Sequence, residues 1–157
     1  MSHSHHHNQH QEITDHDHTS KNLLISTLLN LIISVAEVVG GLFANSLALI
    51  AEIQVELGRQ TQAESALEEA LGILQLQGVS QFYINTLSQA SYLYSQSPSP
   101  LAPLLQLKHA NLGVSLARQL QNKRLLQEIL YDYSLAQTRN ANPQQGLQAA
   151  AEMQQLA

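Results

Sequence analysis

The chain has no cysteine and no tryptophan, and only two phenylalanines. Without thiols it can hold no disulfide, no thiolate nucleophile and no Cys-based zinc site. Charge is scarce too. Asp, Glu, Lys and Arg make up 12% of the residues, against ~25% in ordinary soluble domains, and Gln and Asn fill the polar positions instead. Seven basic residues against twelve acidic ones leave a net charge of −5, with no basic stripe to neutralise phosphates, so nucleic acid is excluded as a partner. Catalytic patterns are missing as well: there is no phosphate-binding Gly loop, no H-E-x-x-H and no G-x-S-x-G. His109 is the single histidine outside the amino-terminal tail and reads as a packing or solvated residue. Glu68 and Glu69 are adjacent, point in different directions, and read as a solvated helix face rather than an acid/base pair. Asp132, between Tyr131 and Tyr133, can bond locally but has no second acid or nucleophile at a working spacing. The chain is expected to be non-enzymatic and to need no cofactor.

What the chain does have is one long hydrophobic run, Asn22 to Ile50, in which Glu37 is the single ionisable residue between Leu23 and Phe43. A helix of about 20 mostly apolar residues matches a hydrocarbon core of roughly 30 Å, so the segment predicts a membrane-spanning helix that can also mediate oligomerisation. Asn30, Ser34, Glu37 and Gly41 follow at steps of four, three and four. That spacing is a single helical stripe, which lipid would reject and protein or a wet cavity would accept. Gly40 and Gly41 allow close helix approach. Asn45-Ser46 predicts the end of one helix and the cap of the next. A cleavable leader is not expected, because an acidic, His-rich stretch rather than a basic one precedes the apolar run.

Residues 1–21 contain His3, His5, His6, His7, His10, His16 and His18, interrupted by Ser, Asn, Gln and Asp. So little apolar content predicts disorder. His5, His6, His7, His10, His16, Asp17 and His18 are candidate ligands for Zn2+, because neutral imidazoles and a carboxylate on a flexible tail can wrap one ion.

The string NLIISVAEVVGGLFANSLALI, preceded by this His/Asp-rich tail, resembles the amino terminus of a cation diffusion facilitator, the zinc and cation efflux transporters. The resemblance covers about the first third of the chain and implies some six membrane helices, with a Ser-Asp pair and further His or Asp ligands on the second. Here Ala51 and Glu52 stand where Ser-Asp would be, and Val55 and Arg59 stand where ligands would be. Neither Val nor Arg can coordinate a cation, and no further apolar span follows. The segment is therefore expected to be an incomplete, transport-incompetent fragment, truncated or fused to what comes after it. The alternative is a component of zinc or divalent cation transport.

From about Leu47 onward the chain resembles tetratricopeptide repeats, helix-turn-helix units of ~34 residues. LALIAEIQVELG predicts an amphipathic helix with Leu47, Ile50, Ile53 and Leu57 on one face. Gly58 sits at the turn. Ala63 and Ala70, like Ala110 and Ala117, are seven apart and share a face on which helices can approach, and Gly146 repeats the small position later. Helices are predicted at Phe82–Gln96, Leu104–Gln121, Lys123–Arg139 and Gly146–Leu156. Three prolines in SQSPSPLAP open a loop over Ser95–Pro103. Asn142-Pro143 predicts a cap and first turn.

The expectation is an all-α chain: a disordered His-rich tail (1–21), a transmembrane-like helix (22–50) and antiparallel pairs of a TPR-like α-solenoid (51–157, its leading helix from about 47). Its groove would take a protein or peptide ligand and its apolar helix would place it in a membrane. A cytoplasmic chain, with the apolar stretch folded back on the repeats, is the alternative.

Overall fold

Leucine, isoleucine, valine and alanine dominate Leu23–Ile50, and with no proline among them no residue there lacks the N–H that a helix interior needs. In the computed structural model, which describes the backbone from residue 12 and side chains from residue 20, this run lies within one helix, α1 (Glu12–Glu56). Five more helices follow: α2 (Gln60–Gln77), α3 (Gln81–Gln96), α4 (Ala102–Gln119), α5 (Lys123–Arg139) and α6 (Pro143–Leu156). No strand occurs among the described residues. The chain divides into two units, residues 1–38 and 39–157.

The first unit's described part is helix. Its backbone is helical from Glu12, so His16, Asp17 and His18 lie on helical backbone. Leu23, Leu28, Ile32 and Val35 are all more than half exposed. The 20–56 portion of α1 is long and apolar enough to cross a membrane.

In the second unit the expected break at Asn45-Ser46 does not occur. The Ser46 hydroxyl donates to the Leu42 carbonyl at 3.0 Å, back into its own helix, and so caps nothing. α1 ends instead at Glu56 and is closed by Gly58. The Arg59 amide reaches the Gln54 carbonyl at 2.8 Å and the Gly58 amide reaches Val55 at 2.9 Å, a Schellman closure. That closure needs the positive φ of +71° that glycine adopts freely.

Short connections make successive helices antiparallel neighbours, and α3 also packs on α5. Ser80 caps α3 by accepting from the Tyr83 amide, and Asn122 caps α5 by accepting from the Leu125 amide. Pro103 and Pro143 sit in the first turns of α4 and α6, where no N–H is missed. Asn142 occupies the cap position before Pro143, but its side chain makes no capping bond.

Two apolar clusters hold this unit. The first joins Ala44, Ala48 and Ala51 of α1 to Leu67, Ala70 and Leu74 of α2 and to Leu87, Leu93 and Tyr94 of α3. The second joins Ile84, Val114, Ala117, Ile129, Leu130 and Ala149. The end of α1 thus turns a different face inward from the expected one. Ile50, Ile53 and Leu57 are exposed, Leu47 is partly buried, and the alanine stripe at 44, 48 and 51 is buried. Alanines let the α2 backbone approach, and the larger side chains then fall outside the contact.

Candidate functional site: an acid-lined groove

Helices α1, α3 and α5, with one residue of α2, line a cavity of ≈ 500 Å³. Ala48, Ala51 and Val55 of α1 give it one apolar side, with Glu52 and Glu56 a turn apart beside them. Ser88, Gln89, Tyr92, Leu93 and Gln96 of α3, Asp132 of α5 and Leu67 of α2 complete the lining.

Ser88 on α3 donates its hydroxyl to Asp132 on α5. Burial pushes the Asp132 carboxyl above its usual range, and the Ser88 bond opposes that shift. Gln89 Nε2 donates to Glu52 Oε1 at 2.9 Å. Ser88 and Asp132 also line a second cavity, with Glu128 and Tyr131, and Ser88, Gln89 and Glu128 line a third against Leu125. No lysine or arginine lines any of the three.

Away from the groove, Glu68 is not the purely solvated residue expected from its neighbour Glu69. Its Oε1 accepts from the Tyr94 hydroxyl at 3.1 Å and from His109 Nε2 at 3.1 Å. The Tyr94 and His109 rings stack, with centroids 5.5 Å apart and planes at 6°. Burial lowers the pKa of His109 from its ordinary value, against the pull of Glu68. Burial first, and Glu68 second, raises that of Tyr94. Arg139 Nη1 ties this cluster to α5 through the Tyr94 and Ser95 carbonyls, each at 2.9 Å, and Gln106 Oε1 at 3.2 Å.

No protein-family model matches this chain, and neither a curated protein nor a solved structure matches it significantly.

The positions singled out in the sequence are dispersed. His5, His6, His7 and His10 lie outside the described residues, as do the side chains of His16, Asp17 and His18. Among the described residues no three His, Asp or Glu side chains come together as a metal site. Asn30, Ser34 and Glu37 are exposed on α1. Of the glycine pair, Gly40 meets the Gln77 side chain, whereas Gly41 has nothing within 4 Å of where a Cβ would be. Val55 lines the groove from α1 and Arg59 precedes α2, so neither lies on a second apolar span. Gly58 makes the first turn, Ala63, Ala70, Ala110 and Ala117 are buried at helix contacts, and Gly146 packs against Thr138 and the Ser134 carbonyl. The acidic lining of Glu52, Glu56 and Asp132 went unrecognised in the sequence. Its one signal was the spacing of Glu52 and Glu56, four apart on the amphipathic end of α1.

Proposed function

We propose that the chain is a non-enzymatic protein-interaction scaffold, its helical pairs arranged like tetratricopeptide repeats and its groove taking a peptide or protein segment. The observation that carries this reading is the groove lined by α1, α3 and α5 with Leu67 of α2, since exposed concave surfaces of stacked helical pairs are where such scaffolds bind. The exposed apolar length of α1 supports attachment to a membrane, because an unpartnered helix surface of that size is costly in water. The likeness of residues 1–50 to a cation efflux transporter then describes an anchor without the ion-binding half of the transport machinery, as Val55 and Arg59 offer no ligands. Zn2+ binding by the His-rich tail is compatible with this role and is not required for it.

Two measurements test the reading. Carbonate-resistant membrane association of the full chain, lost on deleting residues 22–43, together with peptide binding that survives that deletion, is the expected result. Zinc uptake by vesicles reconstituted with the purified chain would overturn it in favour of a transport component.

A further inference from the structure

We propose that the groove recognises a polypeptide segment presenting a lysine or arginine beside aliphatic side chains, with the cation seated between Glu52 and Asp132. The inference rests on the scaffold reading and names the chemistry of its partner.

Charge complementarity supplies the argument. Glu52, Glu56, Glu128 and Asp132 line three cavities that share Ser88, and no lysine or arginine is among the lining residues. Ion pairs join Arg118 to Glu152 and Arg124 to Glu128, while His109 hydrogen-bonds Glu68. Glu52, Glu56 and Asp132 take part in none of these. Asp132 is half-buried, and its carboxylate accepts from the neutral Ser88 hydroxyl. A carboxylate drawn out of water without a cation is disfavoured, and an arriving ammonium or guanidinium relieves that penalty. Beside it, Ala48, Ala51, Val55 and Leu93 form a wall without hydrogen-bonding groups, suited to aliphatic side chains. The acids do not gather into a metal-binding group among the described residues, and they would repel a phosphate or an acidic peptide.

The test uses the full chain in zwitterionic detergent micelles, screened against a displayed library of random peptides. Enriched peptides are resynthesised and their affinities measured at low and high salt. The expected consensus places Lys or Arg next to Leu, Ile or Val. Affinity should fall about tenfold for Asp132→Asn and for Glu52→Gln, and equally when the peptide's basic residue is replaced by norleucine, the size of effect typical of a charge-assisted contact. Glu56→Gln, at an exposed position that leaves packing untouched, should weaken binding in the same direction, so a folding defect in Asp132→Asn cannot mimic the result. A neutral or acidic consensus, or affinities indifferent to Glu52→Gln and Asp132→Asn, would overturn the cationic partner and leave the scaffold standing. Absence of any enriched peptide would overturn the scaffold itself. Self-association abolished by Glu52→Lys would overturn the peptide in favour of a second copy of this chain.

Discussion

Gly113 on α4 lies so close to Ile129 on α5 that a Cβ added to it would stand 2.6 Å from Ile129 Cγ1. Ile129 is 1% exposed and has nowhere to retreat. Overpacking of this kind costs about 1–3 kcal/mol, and the helical preference of alanine over glycine returns about 1 kcal/mol of that. Gly113→Ala should therefore lower the thermal midpoint measured by circular dichroism. Gly72→Ala is the control: it is exposed on α2 with nothing near its Cβ, and it should stabilise by about 0.5–1 kcal/mol. Equal shifts in both variants would show that α4 and α5 do not approach as closely as this.

The turn between α5 and α6 repeats the closure seen at Gly58, but with alanine at the left-handed position. Ala141 has φ +58°, its amide reaches the Thr138 carbonyl at 3.2 Å, and the Asn142 amide reaches Gln137 at 2.9 Å. An L side chain in this region costs about 1–2 kcal/mol, while glycine's extra freedom in the unfolded chain takes some of that back. Ala141→Gly should raise the denaturation midpoint by the remainder, and Gly58→Ala should lower it. A destabilised Ala141→Gly would contradict the left-handed assignment.

Asp132→Asn should stabilise the chain at neutral pH while impairing the groove. Because the folded pKa lies above the ordinary 3.8, the folded state holds the proton more tightly than the unfolded one. Stability contributed by this group is therefore lost as pH rises through the folded pKa. The amide oxygen introduced by Asp132→Asn can still accept from Ser88, so the variant removes the charge and keeps the bond. Its advantage in urea denaturation should be present at pH 7 and shrink as pH falls toward 3.8. An advantage constant with pH would point to packing instead.

His109 has the opposite sign. Burial holds its pKa below the ordinary 6.5, with Lys108 acting in the same direction and Glu68 against it. The unfolded chain thus takes up the proton first. Stability is whole above 6.5 and declines as pH drops from there through the folded pKa. The neutral ring donates from Nε2 to Glu68, the carboxylate being acceptor only. His109→Gln should cost stability at about pH 7.5 but flatten the decline on acidification, followed by near-ultraviolet circular dichroism of the Tyr94 environment. An unchanged pH profile would remove His109 from the account.

Local signals carried much of the fold. The periodicity and flanking residues of Lys123–Arg139 place α5 where it is found, and the prolines at 98 and 100 separate α3 from α4 because each forbids an interior helix position, while Pro103 falls in the first turn of α4 rather than in the loop expected up to it. Other features were beyond local reading. Asn45-Ser46 looks like a cap in isolation, yet Ser46 can as readily bond back to Leu42, and only the surrounding helix decides between the two. The groove itself depends on partners far apart in sequence. Ser88 and Asp132 are separated by 44 residues and Glu68 and His109 by 41, and no spacing rule connects them.

The sequence by itself determined that the chain is helical, that one of its helices is greasy enough to cross a bilayer, and that small residues recur where helices touch, because helix propensity, apolar length and side-chain volume are properties of neighbouring residues. Tertiary structure alone decided which face of α1 is buried and that Glu52, Glu56 and Asp132 share one groove. Those outcomes depend on which helix surfaces meet and on how far each carboxylate is withdrawn from water, and both are set by residues distant in the chain.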